Sequence, residues 1–385
     1  MSIFWGAVIV LLPLYYKMEP MLDSRVSKNY LFFSSVIISC LLFSNKKKFD
    51  RITIFIVCLS ILSLFNMFAQ RSGTAMYQFT FFNISLLLIE HLRQNIDTSF
   101  HKKLIPYLIV SALIQSTWIF LEFINIEPLY VITGLFGKKI LVRYPNGSTQ
   151  NTKLFNPYLN NFITGCFSNR SVSGAALACL VPAFFYKKKL IPLVIFPIAA
   201  VFICRSTMSI MAMLAGVVVY LSLIIRTKTL YALLLATLAI ATISFGYYID
   251  RGFFSDTHRF EFWLNAFSMW KNYFFGHGVG FFSDHYNHFF QYRLKVLHLH
   301  SDFLQMFFNF GIVGGVLFIF MLLHINFKAS AIYIAMLSSV LFNSLGNFSF
   351  HISFLTLISI VSYSIIVRKD IHLTRKLKHG HNNSN

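Results

Sequence analysis

The sequence predicts an all-α, polytopic integral membrane protein with about twelve transmembrane helices and one large outward loop between the ninth and tenth. Three observations predict it. The chain is 56% hydrophobic and only 12% charged, with a mean hydropathy of +0.65; a soluble domain needs far more charge to cover its surface. Apolar runs approaching the ~20 residues that cross a bilayer recur along the whole chain. The basic residues cluster at the ends of those runs, where positive charge orients helices and meets anionic headgroups.

Other classes are excluded on the same grounds. A net charge of +20 could suit a nucleic acid, but no nucleic-acid motif accompanies it and the charge sits at span ends, so no nucleic-acid partner is expected. Cys40, Cys58, Cys166, Cys179 and Cys204 contain no C-x-x-C pair, which leaves neither a disulfide framework nor a thiolate metal site. Residues 2–16 have the apolar length of a signal peptide. They lack a basic leading region and a small-residue cleavage pattern, so they read as a short first span.

The spans fall at about 2–16, 30–45, 51–69, 74–90, 104–126, 171–186, 190–204, 207–225, 229–248, 303–324, 329–345 and 349–367. Lys46 to Lys48 with Arg51, Arg93 with Lys102 and Lys103, Lys187 to Lys189, Arg226 with Lys228, and the tail from Arg368 then share one side with both termini. That side holds 18 of the 33 Lys and Arg and 4 of the 13 acids, a net +14 against +6 opposite. It is therefore read as the cytoplasm. The chain divides into helices 1–5 (1–126), a first long outer loop (127–170), helices 6–9 (171–248), a second outer loop (249–302), helices 10–12 (303–367) and a basic cytoplasmic tail (368–385). The first loop carries Tyr144-Pro-Asn-Gly-Ser-Thr149, a turn signal. No internal repeat is visible, unlike many secondary transporters.

Chemistry is expected in the second loop and at neighbouring span ends. Arg71, Arg170, Arg205 and Arg259 all face outward. Interfacial snorkelling explains any single arginine, but snorkelling favours the opposite side. Several rigid guanidinium forks converging would bind a diphosphate. Arg205 is the sharpest case, since Cys204-Arg-Ser-Thr207 is too short a turn for a surface domain. Arg259 to Trp270 reads as an amphipathic helix with Phe260, Trp263, Leu264, Phe267 and Trp270 on one stripe. It would lie in the interface and could bring Trp263 against Arg259, four residues away. Gly276-His-Gly-Val-Gly280 lacks the strand and helix of a dinucleotide fingerprint and reads as a tight turn.

His298-x-His300-x-Asp302 has three readings. It could be a metal site, although no third or fourth ligand is evident. It could simply cap the tenth span through Ser301 or Asp302. Or a histidine beside a helix N-terminus could take a proton from a sugar hydroxyl while the helix end holds an anionic diphosphate.

The order of these features resembles the O-antigen ligase superfamily, which includes O-antigen ligases, O-antigen polymerases and protein O-oligosaccharyltransferases. The motifs are Gly165-x-Phe167-x-Asn169, Arg205-Ser-Thr207, Arg259-x-x-x-Trp263, Gly276-x-Gly278-x-Gly280, His300-Ser-Asp-x-Leu304 and Gly311-x-x-Gly314, spread over about residues 160–325. Ser301 stands where members often carry Asn, and Asn309 lies near a commonly acidic position. The resemblance implies a metal-independent, inverting glycosyltransferase of the bacterial inner membrane without cofactor. Its donor would be an undecaprenyl-diphosphate-linked glycan at the periplasmic face. Arg205 and Arg259 would bind the diphosphate and His300 would activate the acceptor. Asn169, Arg170, Trp263, His298 and Asp302 would line the substrate site. A ligase would use lipid A–core as acceptor, and a polymerase a second lipid-linked glycan; paired His298 and His300 favour the ligase. A flippase of lipid-linked sugars would place charges deep within spans, where Glu122 is nearly alone.

Overall fold

The computed structural model describes residues 1–18, 30–42, 50–70, 73–96, 99–124, 126, 141–143, 149–151, 165–167, 169–225, 257–270, 274–278, 281–282, 285–286, 299–326, 329–347 and 349–367. The expected span at 229–248, and with it Arg71 and His298, lies outside the described residues. The fold is helical: α1 (Ser2–Met18), α2 (Tyr30–Leu42), α3 (Arg51–Gln70), α4 (Gly73–Asn95), α5 (Phe100–Phe123), α6 (Arg170–Leu180), α7 (Ile195–Ile203), α8 (Thr207–Ile225), α9 (Thr257–Met269), α10 (Asp302–Leu323), α11 (Ala331–Ser344) and α12 (Ser353–Val367). One small antiparallel ribbon, β1 (Leu141–Arg143) and β2 (Thr149–Asn151), pairs Val142 with Gln150 on either side of the Asn-Gly turn signal.

Among the described residues three helices, α5, α8 and α10, are long and apolar enough to cross a membrane. The predicted sixth and seventh spans are not single α-helices. Helix α6 passes into 3₁₀ geometry over Val181–Tyr186 at Pro182, and a second 3₁₀ stretch, Lys188–Val194 with Pro192, leads into α7. Proline removes a backbone donor and clashes with the preceding turn, and sequence hydropathy does not register that.

Helix α12 is the central post, with all of its residues buried. Its Thr356, Ser359, Ser362 and Ser364 are small enough to let neighbours approach, as helices packing in a bilayer require. Helices α8 and α11 pack closely at Gly216, where an added Cβ would lie 2.0 Å from Ser339 Oγ and 3.1 Å from the Ala335 carbonyl oxygen.

The bundle has two distinct ends. At one, Arg93 donates to Asp50 (2.5 Å) and to Glu90 (2.8 Å), joining α4 to the start of α3, and Tyr333 Oη donates to the His101 carbonyl (2.7 Å). At the other end stand residues 165–167, 169–170, 205, 299–302, 346–347 and 349–352.

Asp50 supplies a pH prediction. Partial burial pushes its carboxyl upward, but the Thr53 backbone N–H and the Arg93 guanidinium together hold it below the usual carboxylate range. Its stabilisation is therefore present above the unfolded pKa of ~3.9 and lost as pH falls through the lower folded value. The difference in Tm between the wild type and Asp50→Asn in detergent should be constant from about pH 7 to 5 and shrink below about 4; a difference that grows on acidification would overturn it.

Candidate functional site

Residues Leu299–Gln305 form the first half of the site. Ser301 has extended backbone and caps α10, its Oγ accepting from the Leu304 N–H (3.5 Å). This is the capping reading, and it leaves His300 just before the helix with φ of +54°. Left-handed backbone costs a residue with a Cβ about 1–2 kcal/mol, so it persists only where its surroundings impose it. Here both neighbours of the strained peptide are held. The Leu299 N–H donates to Gln305 Oε1 (2.9 Å), and its carbonyl accepts from Trp263 Nε1 (2.8 Å). Gln305 is itself fixed through Nε2 to Asn309 Oδ1 (2.9 Å). The His300 Nδ1 atom is buried.

Trp263 and Asp302 therefore act through the backbone. Helix α9 lays Ala266 and Met269 against Phe282, Tyr286, Leu299 and Phe308, while Leu264 and Phe267 stay exposed. The predicted stripe is thus divided between a protein-facing and an outward-facing set. Trp263 belongs to the former and ties α9 to the histidine turn. The side chain of Arg259, one turn earlier on α9, lies outside the described residues, as does the contact with Trp263 foreseen for it. Asp302 is 2% exposed and accepts from the Phe350 N–H (3.0 Å), which ties α10 to the turn between α11 and α12. Trp263→Phe keeps the ring but leaves the Leu299 carbonyl unpartnered in a buried setting, a loss of about 1–3 kcal/mol. A lower Tm in detergent is expected; an unchanged Tm would show that the turn holds itself.

The glycine motif is a backbone clamp. Gly276 and Gly278 have φ of +72° and +90°, and α10 breaks at Gly311 with φ of +65°. His277 and Gly278 donate to the carbonyls of Phe308 (2.9 Å) and Asn309 (2.8 Å), while Val313 donates to the Phe274 carbonyl (3.2 Å). In an unbroken helix Val313 would bond Asn309, so residues 274–278 are inserted into the helix's own ladder. A Cβ on Gly311 would lie 2.2 Å from Phe274 O, and one on Gly276 2.5 Å from Asn309 O.

The second half centres on Arg205. It lies in the tight turn between α7 and α8 with φ of +49°, exposed, its N–H donating to Phe202 O (3.0 Å). Glycine is the usual occupant of such a helix-terminating position. Asn169 caps α6, accepting from the Ser171 (2.9 Å) and Val172 (3.3 Å) N–H groups, so its side chain orients the helix that begins at Arg170. Ser209 Oγ reaches the Ser171 carbonyl (3.0 Å), drawing the Arg205 turn onto the α6 start. Cys204, next to Arg205 in the turn, is buried, as is Glu122 of α5.

The two halves border the same α11–α12 turn. Phe350 binds Asp302; four residues on, Phe354 packs on Phe167 (5.4 Å between ring centres), and Gly346 sits against Met208. Beside the first half, a cavity of about 260 Å³ starts at Asp302, Gln305 and Asn309 and passes among Phe81, Phe82, Phe310 and Leu337 towards Met321 and Tyr363. Its lining is overwhelmingly apolar. Among the described residues no three His, Cys, Asp or Glu side chains cluster as metal ligands.

Gln305 escaped functional reading in the sequence, and Asn309 was marked only as lying near a commonly acidic position. Their signal was two amides a helical turn apart inside an apolar span, since a buried amide needs a partner.

Fold and site define a polytopic helical membrane protein whose candidate site lies at one end of the bundle, beside an apolar cavity. Residues 192–319, about a third of the chain, match the family described as O-antigen ligase. The match supports the O-antigen ligase superfamily, the one the motifs resemble, and it contains Arg205, Arg259, Trp263, His298, His300 and Asp302. Asn169 and Arg170 precede it. No curated protein matches the chain.

Proposed function

We propose that the chain is a ligase that moves an undecaprenyl-diphosphate-linked O-antigen glycan onto lipid A–core at the periplasmic face of the inner membrane. The observation that carries this is backbone strain. Arg205 and His300 are the non-glycine residues with positive φ among the described residues, and they are the arginine and histidine assigned to donor and acceptor. Such strain concentrates where a side chain must be presented regardless of conformational cost.

His300 takes the proton of the acceptor hydroxyl as its oxygen bonds to the anomeric carbon with inversion. The bond from that carbon to the diphosphate breaks, and the diphosphate leaves with the electron pair. Arg205 and Arg259, with Arg170 nearby, stabilise the developing negative charge with preoriented donors. The apolar cavity beside Gln305 suits a long hydrocarbon tail. Trp263, Asp302 and Asn169 position this machinery through backbone contacts, and His298 completes the histidine segment.

Deletion of the gene in a host that makes smooth lipopolysaccharide tests the reading. Bare core with accumulating long lipid-linked polymer is the expected result. Core capped by a single repeat would replace the ligase with a polymerase, and repeat units trapped on the cytoplasmic face would replace both with a flippase.

A further inference from the structure

We propose that residues 274–278 form a re-entrant segment, seated in the half of the bilayer nearer His300, with Phe274 and Phe275 against lipid acyl chains. Sequence topology puts this stretch in an outward aqueous loop. The hydrogen bonds place it elsewhere. Its partners are Phe308, Asn309 and Val313 of α10, roughly 9 to 17 Å along that helix from Asp302 at 1.5 Å per residue.

That depth lies inside the membrane because α10 has no residues to spare. Its 22 residues reach about 33 Å, just enough for a hydrocarbon core of ~30 Å. If the part before the Gly311 break stood in water, the twelve residues from Ile312 to Leu323 would span only about 18 Å. The break must therefore lie within the apolar layer.

Non-helical backbone survives at membrane depth only when its polar groups are satisfied by protein. The clamp meets that condition at the break, where His277, Gly278 and Val313 donate and Phe308, Asn309 and Phe274 accept. Gly276 and Gly278 are buried against the helix and His277 packs its ring on Phe308, whereas the preceding two side chains face outward. Phe274 is 66% and Phe275 55% exposed. Ile312, Val316, Ile319 and Phe320 of α10 are also exposed, and the Phe274 carbonyl accepts from the Val313 N–H, next in sequence to Ile312, so the two rings add to the exposed apolar surface of this helix. The occupant is the bilayer itself, and the inference is independent of the reaction catalysed.

Site-directed spin labelling of the full chain in lipid nanodiscs tests this, in a background with Cys58→Ala and Cys40→Ala. A nitroxide at Phe275→Cys should match one at Ile312→Cys, accessible to oxygen and protected from a water-soluble nickel chelate. A label at Lys188→Cys supplies the aqueous reference. A Phe275→Cys label as accessible to nickel as that at Lys188→Cys would overturn the proposal and place the segment in a water-filled vestibule. Should Phe275→Cys fail to fold, Phe274→Cys carries the same two outcomes.

Discussion

His300→Gly is expected to keep the fold and lose transfer. Glycine adopts φ of +54° without penalty, so the substitution relieves the strain of the native turn while removing the imidazole. General-base catalysis by a placed histidine contributes about 10²–10⁴-fold, and transfer of glycan to core should fall by that factor. Tm in detergent should hold or rise, since left-handed backbone costs a side-chain-bearing residue about 1–2 kcal/mol. The choice of glycine separates two roles that alanine would confuse. If the histidine served only the shape of the turn, His300→Gly would be fully active, and the base assignment would be lost. Alanine would remove the imidazole and its contacts but keep the Cβ, and with it the left-handed strain.

The second large effect falls on stability. Gly311→Ala should destabilise the protein by about 2–5 kcal/mol, combining left-handed strain with overpacking. The added Cβ would meet the Phe274 carbonyl oxygen at 2.2 Å and the Gly276 nitrogen at 2.6 Å. Both are backbone atoms of the inserted segment, so relief requires pulling residues 274–278 out of the helix ladder. Gly346→Ala is the control, because its Cβ would meet only the flexible end of Met208 at 2.9 Å. A large drop in folded yield and Tm for Gly311→Ala with little change for Gly346→Ala is expected. Equal effects would show that generic crowding, and not the clamp, sets the cost.

Much of the architecture was legible because hydropathy is a one-dimensional property. Long apolar runs such as 104–126 and 303–324 match α5 and α10 within a few residues, since any such run must satisfy its backbone internally as helix. Capping of α10 by Ser301 or Asp302 was legible too, a local polar group meeting local orphan donors, whereas the Asn169 cap of α6 was not read from the sequence. The interruptions near Pro182 and Pro192 were less so, because runs of apolar residues look alike whether the backbone is α or 3₁₀.

The site divides along the same line. Arg205 and His300 stood out as polar residues at the ends of apolar runs, and that required no fold. What each neighbour does could not be read this way. Trp263 was read for a contact with Arg259, whose side chain lies outside the described residues, and its N–H bond to the Leu299 carbonyl had no signal in the sequence. Asp302 looked like a ligand, yet it holds Phe350. Contacts of this kind join residues 36 and 48 positions apart, and nothing in local spacing encodes them.

By itself, then, the sequence determined a helical membrane protein, the end of the bundle where its polar chemistry gathers, and the glycines that would matter. Only the tertiary structure decided why they matter: Gly276 and Gly311 let two backbones approach within hydrogen-bonding distance of each other. It alone decided that His300 and Arg205 are held in strained backbone. Composition is summed residue by residue, whereas strain is imposed by surroundings, and the surroundings exist only after the chain has folded.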